Sequence, residues 1–408
     1  MTTDTLRPDS PATTRRRGRR GDTAPVILLG GAANAVSVAR RLGRMGVDVF
    51  GLVEPGAFVA SSRFCRRIDL PALAPGDQGR VWADFLLGPR GDRFRGAAVL
   101  ACGDAGIELI AAHRGALAAR FLLDESNPVA QLRMLNKLET YEDAVSAGVP
   151  TPRFWLAGSR DAIDGLDGLT FPLVVKPRLS HVFEGQTGRK LFVARDRDGL
   201  ASAVAAIAAT GTESLIVEMI PGPDDRLCSY YTYLDEDSRP LFHFTKRIIR
   251  RYPALMGTAC YHVTDWIPEA AEQANRLFRY SGLRGLANVE FKRDERDGRL
   301  KLIECNARFT ASNCLAARSG FDFAAFVYNR LTDRPQSVPD GYTPGMRLWD
   351  PVRDFQAYRE LSRTGDLTFG RWLSGVLHPQ TFPYFEWTDP LPALARLTRP
   401  LRARLGLA

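Results

Sequence analysis

Two short apolar runs in the last third of the chain each end in a glutamate, and the segment between them has the composition of a hairpin turn. The first run, 286–289, is followed by Glu290, and the second, 300–303, by Glu304. The charged segment 293–298 between them ends in Asp-Gly, a pair favoured in tight hairpin turns. The pattern predicts two neighbouring antiparallel strands that carry one glutamate each.

The strand repeat predicts which side chains share a face of this hairpin. Side chains alternate between faces, so Asn306 lies on the face of Glu304, and Arg308 continues that face. Glu290 and Glu304, facing each other at short range, repel, and a cation between them relieves the repulsion. Oxygen ligands without His or Cys favour Mg²⁺, which binds one or two carboxylates together with substrate phosphates. The alternative is a solvated hairpin with ordinary surface acids.

Length and composition indicate a globular protein of more than one domain. The 408 residues exceed what one core usually organises, and 45% apolar with 25% charged residues is typical of soluble proteins. No apolar run is long enough to cross a bilayer. Residues 1–24 are basic, lack the long apolar segment of a signal peptide, and are predicted to form a disordered tail.

Charge and cysteine content indicate where in the cell the protein is located and what kind of molecule it binds. The six cysteines have no CxxC spacing and lie mostly in apolar runs, which predicts reduced, buried thiols in a cytoplasmic protein. The net charge of +9 comes partly from the tail, and no nucleic-acid-binding motif accompanies it. We therefore expect an anionic small molecule such as a nucleotide, and no nucleic acid.

Strands and helices alternate over residues 25–125. This pattern predicts a parallel, Rossmann-like sheet, and thus an α/β fold. Gly30-Gly31 follows the first strand without the full GxGxxG spacing, so we expect a turn that packs or holds a substrate anion rather than a dinucleotide. The predicted segments are strands at 26–29, 47–52 and 97–101 and helices at 35–45 and 105–113.

The rest of the chain mixes strands with helices and changes composition after residue 333. A helix over 131–147, opened by Pro128, is predicted to end at Gly148. Further strands are predicted at 171–177, 214–217, 228–234 and 240–248, and helices at 199–210, 268–281 and 311–319. The last stretch, 391–407, has leucines at helical spacing among arginines. We favour a helix that docks on the protein body over one that contacts a membrane surface.

Several charged residues in the middle of the chain suit a nucleotide. Lys137 opens a helix and can reach a phosphate, and Lys176 ends an apolar strand, where an ammonium needs an anionic partner. Glu218, or the backbone beside it, can bond the edge of a planar base between apolar neighbours. Asp225 is placed to hold a ribose hydroxyl. Each residue alone is most simply a solvated side chain, but their order and spacing are distinctive.

In this order and spacing the chain resembles the ATP-grasp superfamily, and more narrowly its carboxylate–amine ligases of the D-aspartate-ligase-like and biotin-carboxylase-related kind. The resemblance covers about residues 25–335. It rests on four segments, which are Asn136-Lys137 through Gly148-Val-Pro-Thr-Pro152, Phe171-Pro-Leu-Val-Val-Lys176-Pro177, Val217-Glu-Met-Ile-Pro-Gly222, and Asn288-Val-Glu290-Phe291 with Ile303-Glu-Cys-Asn-Ala-Arg308.

The resemblance implies a nucleotide site with defined roles. Lys137 and Lys176 contact ATP phosphates, Glu218 and Ile220 form the hinge for adenine, and Asp225 binds the ribose. One departure is the loop 180–190, which has only Gly185 and Gly188 and is poorer in glycine than that of many relatives. Side chains such as His181 or Lys190 are alternatives to backbone N–H groups for covering the phosphates.

The resemblance also implies the chemistry. Glu290, Glu304 and Asn306 hold Mg²⁺, with Mn²⁺ as an alternative, and Arg308 stabilises the transferring phosphoryl group. A substrate carboxylate attacks the γ-phosphate of ATP, and an amine then displaces phosphate from the acyl phosphate to form an amide.

Lys246 and Arg247 are further candidates at this centre. They stand at a strand end, and we expect them to bind the γ-phosphate or the substrate carboxylate. A basic strand terminus facing solvent is the alternative, with more weight for Arg250 and Arg251. Asn313, Arg318 and the loop Cys102-Gly-Asp104 are candidates for lining the substrate pockets.

The expected organisation is a Rossmann-like pre-ATP-grasp domain (25–125), an ATP-grasp domain (126–335) and a small helical C-terminal extension (336–408). The ATP-grasp part is expected to have a lid subdomain at about 140–217 and a catalytic subdomain at 218–335. The expected partners are a small carboxylate and a small amine. The competing functions are a non-catalytic nucleotide-binding protein and a membrane-surface accessory protein of cell-envelope or secondary metabolism.

Overall fold

A computed structural model describes residues 23–404, apart from residues 55, 71–76, 179–182 and 184–190. The predicted tail over residues 1–24 therefore lies almost wholly outside the described residues. The same holds for the loop 180–190, of which only Phe183 is described.

The first sheet is parallel and follows the predicted alternation of strands and helices. Its order is β3-β2-β1-β4-β5, with every pair parallel. Because consecutive strands run in the same direction, helices must carry the chain back across the sheet. The elements are β1 (Val26–Leu29), α1 (Ala33–Arg44), β2 (Val49–Leu52), β3 (Arg66–Ile68), α2 (Gln78–Leu87), β4 (Ala98–Ala101), α3 (Asp104–Ala118) and β5 (Leu122–Leu123).

The second sheet is small and antiparallel and follows a helix pair. The single helix predicted over 131–147 is two helices, because Asn136 adopts an extended conformation and its side chain accepts a hydrogen bond from the N–H of Leu138. The sheet order is β6-β9-β7-β8. The elements are α4 (Pro128–Leu135), α5 (Lys137–Ser146), β6 (Phe154–Ala157), β7 (Leu173–Pro177), β8 (Phe192–Ala194), α6 (Arg197–Ala208) and β9 (Ser214–Glu218).

The third sheet has seven strands in the order β14-β13-β10-β11-β12-β15-β16. This sheet includes the strand Thr258–Thr264, which was not predicted from the sequence. Its elements are β10 (Leu227–Leu234), β11 (Phe244–Tyr252), β12 (Thr258–Thr264), α7 (Pro268–Ser281), β13 (Gly285–Arg293), β14 (Leu300–Asn306), α8 (Asn313–Ser319), α9 (Phe323–Leu331), β15 (Arg347–Trp349), α10 (Pro351–Arg363), α11 (Phe369–Val376), β16 (Gln380–Thr381) and α12 (Leu391–Arg404).

The two faces of this sheet belong to different apolar cores. Tyr230 and Val289 pack in one core with Leu277 of α7. Tyr231, on the opposite face of β10, packs in a second core that includes Val36 of α1. The alternation along the strands thus holds the Rossmann-like sheet and α7 on opposite sides of the seven-stranded sheet.

Two short strands of the segment after residue 335 join the third sheet. β15 pairs with β12, and β16 pairs with β15, so this segment extends the third sheet. These strands have only three and two residues, too few to show a strand repeat in the sequence. The predicted domain boundaries stay predictions. Among the described residues, no helix combines the length and apolarity needed to cross a membrane.

Two buried carboxylates fasten this segment to the rest of the protein. Asp389 accepts hydrogen bonds from Arg40 of α1, from the Ser62 hydroxyl and from the N–H of Arg63. Asp354 of α10 accepts two from Arg250 of β11, at 2.6 and 2.9 Å, and one from the indole of each of Trp349 and Trp372, both at 2.9 Å. Fully satisfied buried charges of this kind become costly when one partner is removed.

We expect Asp354→Ala to lower the free energy of unfolding by about 3–5 kcal/mol, because the buried Arg250 guanidinium loses its counter-charge. Denaturant unfolding followed by tryptophan fluorescence measures this change, since Trp349 and Trp372 both donate to Asp354. Asp237→Ala is the control, because Asp237 pairs with Arg239 on the exposed surface. A loss for Asp354→Ala no larger than that of the control contradicts the assigned role.

Candidate active site

One transverse row of the third sheet brings the predicted acids together. Glu290 pairs directly with Glu304 across β13 and β14, beyond a register shift between Glu290 and Phe291. On its other side Glu290 pairs with Ser229 of β10, and Ser229 pairs with Lys246 of β11. Directly paired residues point to the same face of a sheet, with Cβ atoms about 4.5–5.5 Å apart. Glu304, Glu290, Ser229 and Lys246 therefore line one face in sequence across four strands.

The two glutamates are electrostatically unequal. Burial raises the pKa of Glu290, and the neighbouring charge of Glu304 raises it further. Burial acts in the same direction on Glu304, but Lys137, Lys176, the hydrogen bond from Asn306 and Arg308 together outweigh it, and the pKa of Glu304 is lowered. The pair therefore concentrates negative charge, and a divalent cation between the carboxylates would relieve their repulsion.

The donor set fits magnesium. Asn306 lies two residues beyond Glu304, and its Nδ2 donates to Glu304 Oε1 at 3.3 Å. The amide is thus held beside the acids and adds a neutral oxygen to the two carboxylates. Nowhere in the described part of the chain do three or more His, Cys, Asp or Glu side chains gather in a metal-binding group. Mg²⁺ usually binds only a few protein ligands when substrate phosphates supply the others, and two carboxylates with one amide match that number.

Two predicted lysines converge on this pair from outside the third sheet. Lys137 is the first residue of α5, and Lys176 stands near the end of β7. Burial lowers the pKa of Lys176 to about 8, Lys137 lowers it as well, and Glu304 opposes the change. Two ammonium groups close enough to perturb each other, beside a partly buried acid, form a receptor for a polyanion such as a triphosphate.

The predicted adenine hinge follows β9 directly. Glu218 ends β9, is buried, and accepts hydrogen bonds from Arg296 and from the N–H of Arg153. Its carboxylate is therefore already bound within the protein. Ile220 is buried, and its carbonyl accepts a hydrogen bond from Lys292 Nζ at 2.9 Å. These contacts fix the hinge segment against the β13–β14 hairpin.

Sequence reasoning missed Arg296 and Lys292. Arg296 lies in the hairpin turn, where a charged side chain is usually solvated, and it also binds the fully buried Asp294. Lys292 lies two residues after Glu290 in β13, so the strand repeat places it near the face of Glu290. That repeat was the available signal for Lys292, whereas no local signal identifies Arg296.

Asp225, the predicted ribose ligand, is exposed on the turn that follows the hinge. Its neighbour Asp224 is buried and engaged, because Arg251 Nε donates to it at 2.6 Å and the N–H of Leu255 donates as well. Asp225 is thus the accessible one of the two acids, and its assignment to the ribose stays a prediction.

Lys246 and Arg247, the predicted basic pair on β11, point to opposite faces of the sheet because side chains alternate along a strand. Lys246 lies in the glutamate row, is buried, and has its Nζ 3.2 Å from His262 Nδ1. Arg247 points to the opposite face and pairs with Asp265 at 3.6 Å. The structure therefore does not bring Arg247 to the other site residues.

Arg250 and Arg251 of the same strand differ from the solvent-facing interpretation. Arg250 is buried against Asp354. Arg251 lies close enough to the glutamate row to lower the pKa of Glu290, although burial dominates in the opposite direction. For Arg251 the sequence left open a solvent-facing position or a place at the site, and its effect on Glu290 favours the second.

Arg308 connects the third sheet with the Rossmann-like sheet. Its Nε donates to Asp104, the first residue of α3, which follows the loop after β4. Arg308 also helps to lower the pKa of Glu304, after the larger effects of burial and the two lysines. The guanidinium therefore stands between the acid pair and the carboxyl end of the parallel sheet, where ligands bind in α/β folds.

No protein-family model matches the chain. The chain is 24% identical over 335 residues to the D-aspartate ligase of Enterococcus faecium (strain Aus0004), and the match covers 76% of this chain and 77% of that enzyme.

Solved structures show the same fold at low sequence identity. A biotin carboxylase from Campylobacter jejuni superposes with a TM-score of 0.60 at 15% identity, covering 80% of this chain and 74% of that one. N5-carboxyaminoimidazole synthetase from Staphylococcus aureus, complexed with ADP, gives 0.60 at 15%, covering 79% and 80%. An L-amino acid ligase from Bacillus licheniformis gives 0.56 at 18%, covering 75% and 74%. The chain shares the ATP-grasp fold with these structures, and the prediction of that fold is confirmed.

Proposed function

We propose that this protein is an ATP-dependent ligase that activates a substrate carboxylate as an acyl phosphate and joins it to an amine. The observation that carries the proposal is the convergence on Glu290 and Glu304 of basic side chains from three separate parts of the fold. Lys176 comes from the second sheet, Lys137 from α5 and Arg308 from the segment that follows β14, and all three lower the pKa of Glu304. A site so arranged is suited to hold and transfer a phosphoryl group.

In this proposal each residue has one task. Lys137 and Lys176 bind phosphate oxygens of ATP, and the backbone at Glu218 and Ile220 receives the adenine. Arg308 donates to the oxygens of the transferring phosphoryl group, where negative charge accumulates in the transition state. When bound by the acids and Asn306, Mg²⁺ supplies charge neutralisation for the phosphates.

The proposed substrate classes are taken from the reaction named by the D-aspartate ligase. Because the chain is similar to a D-aspartate ligase, we propose a small amino acid as the first acid to test and a small amine as the second substrate. ATP and Mg²⁺ are the proposed cofactors, with Mn²⁺ as an alternative. All six cysteines are free thiols, which supports the proposed cytoplasmic location.

The contacts of α12 favour docking on the protein over membrane attachment. Arg396 binds Asp350 and lies over the ring of Tyr384 at 4.3 Å, and Arg399 lies over Phe58 at 5.4 Å. Two of its basic side chains are therefore used within the protein, and we keep the soluble ligase as the proposal.

The direct test is to incubate the protein with Mg²⁺, ATP and pairs drawn from a panel of amino acids and amines that includes D-aspartate. ADP release is followed by a coupled assay and the products by mass spectrometry. We expect one acid to stimulate ADP release and an amide to appear with its amine. ATP turnover that no acid changes, with no amide formed, contradicts the proposal.

We expect Glu304→Gln to reduce acid-stimulated ADP release at least a hundredfold, because it removes a charged metal ligand and leaves the side-chain shape. Glu272→Gln is the matched control, since Glu272 is exposed on α7 and pairs with Arg276. Thermal melting checks that both variants fold. Wild-type turnover in Glu304→Gln removes the metal assignment.

Lys176→Ala is expected to weaken ATP binding about tenfold to a hundredfold, because a buried ammonium no longer meets the phosphates. Nucleotide affinity is measured by calorimetry at fixed Mg²⁺. The control is Arg178→Ala, which removes a positive charge two residues away that pairs with Glu213. Equal affinities for Lys176→Ala and wild type contradict the phosphate role.

A further inference from the structure

Two buried polar groups beside the glutamate row have no hydrogen-bond partner among the described residues. They are the Ser229 hydroxyl, in a residue 1% exposed, and the Asn313 Nδ2, in a residue 3% exposed. A buried polar group without a partner costs about 1–3 kcal/mol, so such groups need an explanation. Neither residue has a role in the binding of ATP or of the metal as proposed above.

Ser229 lies in the row itself. It is the direct partner of Glu290 on one side and of Lys246 on the other. Since neighbouring strands are about 4.7–4.9 Å apart, the hydroxyl lies one strand from the proposed metal ligand and one strand from a buried ammonium. A ligand atom bound there is within reach of a phosphate held on the metal.

Asn313 reaches the same face from α8. Tyr231 follows Ser229 by two residues, so its side chain points to the same face of β10, and its hydroxyl donates to Asn313 Oδ1 at 2.7 Å. That bond orients the amide and leaves Nδ2 as a free donor. Arg308 acts on the same tyrosine, lowering its pKa against the larger opposing effect of burial. Asn313 is thus bound to a side chain that lies on the same face of β10 as Ser229 and close enough to Arg308 for its charge to act on it.

The chemistry of these groups selects an acid over an amine. The Asn313 Nδ2 and the Lys246 ammonium can only donate hydrogen bonds, and the Ser229 hydroxyl can donate. Lys246 is already fixed on one side by His262 Nδ1 at 3.2 Å, which accepts from it. A carboxylate satisfies all three donors and balances the ammonium, whereas a protonated amine is repelled by Lys246.

We propose that Ser229 and Asn313 bind the carboxylate of the acid substrate, with Lys246 as its counter-charge. The inference rests on the proposed ligase function and adds to it the place of the acid, which lies between the metal-binding glutamates and Asn313. Ser229 and Asn313 are then substrate-binding residues, and the amine has to approach from another side.

The test measures acid binding without turnover. Full-length protein with Mg²⁺ and a non-hydrolysable ATP analogue is titrated by calorimetry with D-aspartate, L-aspartate, D-alanine and succinate. Asn313→Asp keeps the oxygen that accepts from Tyr231 and replaces the free donor by a negative oxygen. We expect it to weaken binding of the acid at least a hundredfold, and Ser229→Ala to weaken it about tenfold.

Ser214→Ala is the matched control. Ser214 is also fully buried on a strand, and its hydroxyl has no hydrogen-bond partner in the described part of the chain, but it lies on β9 in the second sheet. We expect the control to bind the acid as wild type does, and all three variants to keep wild-type affinity for the ATP analogue. That retained affinity shows that Ser229→Ala and Asn313→Asp are folded.

Each outcome separates this inference from the ligase proposal. If wild type binds an acid and both site variants bind it equally well, the assignment of Ser229 and Asn313 is overturned. It is overturned as well if wild type binds none of the acids. If binding follows the expected pattern but no amide forms with any amine, the acid site stands and the ligase proposal fails.

Discussion

The placement of Glu290 opposite Glu304 on adjacent strands is the constraint around which the rest of the site is arranged. Two partly buried carboxylates in direct cross-strand register repel, and the arrangement persists only because positive charge surrounds it. That charge comes from α5, from the second sheet and from β11 and the segment after β14, so the acid pair draws separate parts of the fold to one point. The alternative from sequence was a solvated hairpin with ordinary surface acids. Such a hairpin does not require basic side chains from separate parts of the fold to gather around it.

The parts of this site that sequence predicts are those governed by local rules. Strand alternation and an Asp-Gly turn predict the β13–β14 hairpin that carries one glutamate on each strand, whereas the direct pairing of Glu290 with Glu304 also depends on a register shift between Glu290 and Phe291. A lysine at the end of an apolar strand requires an anionic partner, and Lys176 has one close by in Glu304. The Rossmann-like sheet likewise follows from the alternation of strands and helices, because parallel neighbours require crossover helices. Each of these inferences depends on residues close together in the chain.

The parts that sequence misses depend on broken repeats or distant partners. The register of β11 against β12 shifts twice between Ile248 and Arg251, so alternation counted from Lys246 fails at Arg250 and Arg251. Arg250 is buried because of Asp354, which lies 104 residues further along the chain. Arg296 shows the same limit, since its partner Glu218 belongs to another sheet. Local composition describes all these arginines as solvated.

The balance of charge explains why nucleotide and metal belong together in this site. Lys137 and Lys176 oppose Glu290 and Glu304, so these four side chains alone are close to electrically balanced. A bare triphosphate would add several negative charges beside a glutamate whose pKa burial already raises. A triphosphate bound with divalent cations adds far less net charge and gives both carboxylates a partner. In the proposed function the site therefore favours the metal–nucleotide complex over either component alone, and the proposed phosphate binding by the lysines depends on the proposed metal binding by the acids.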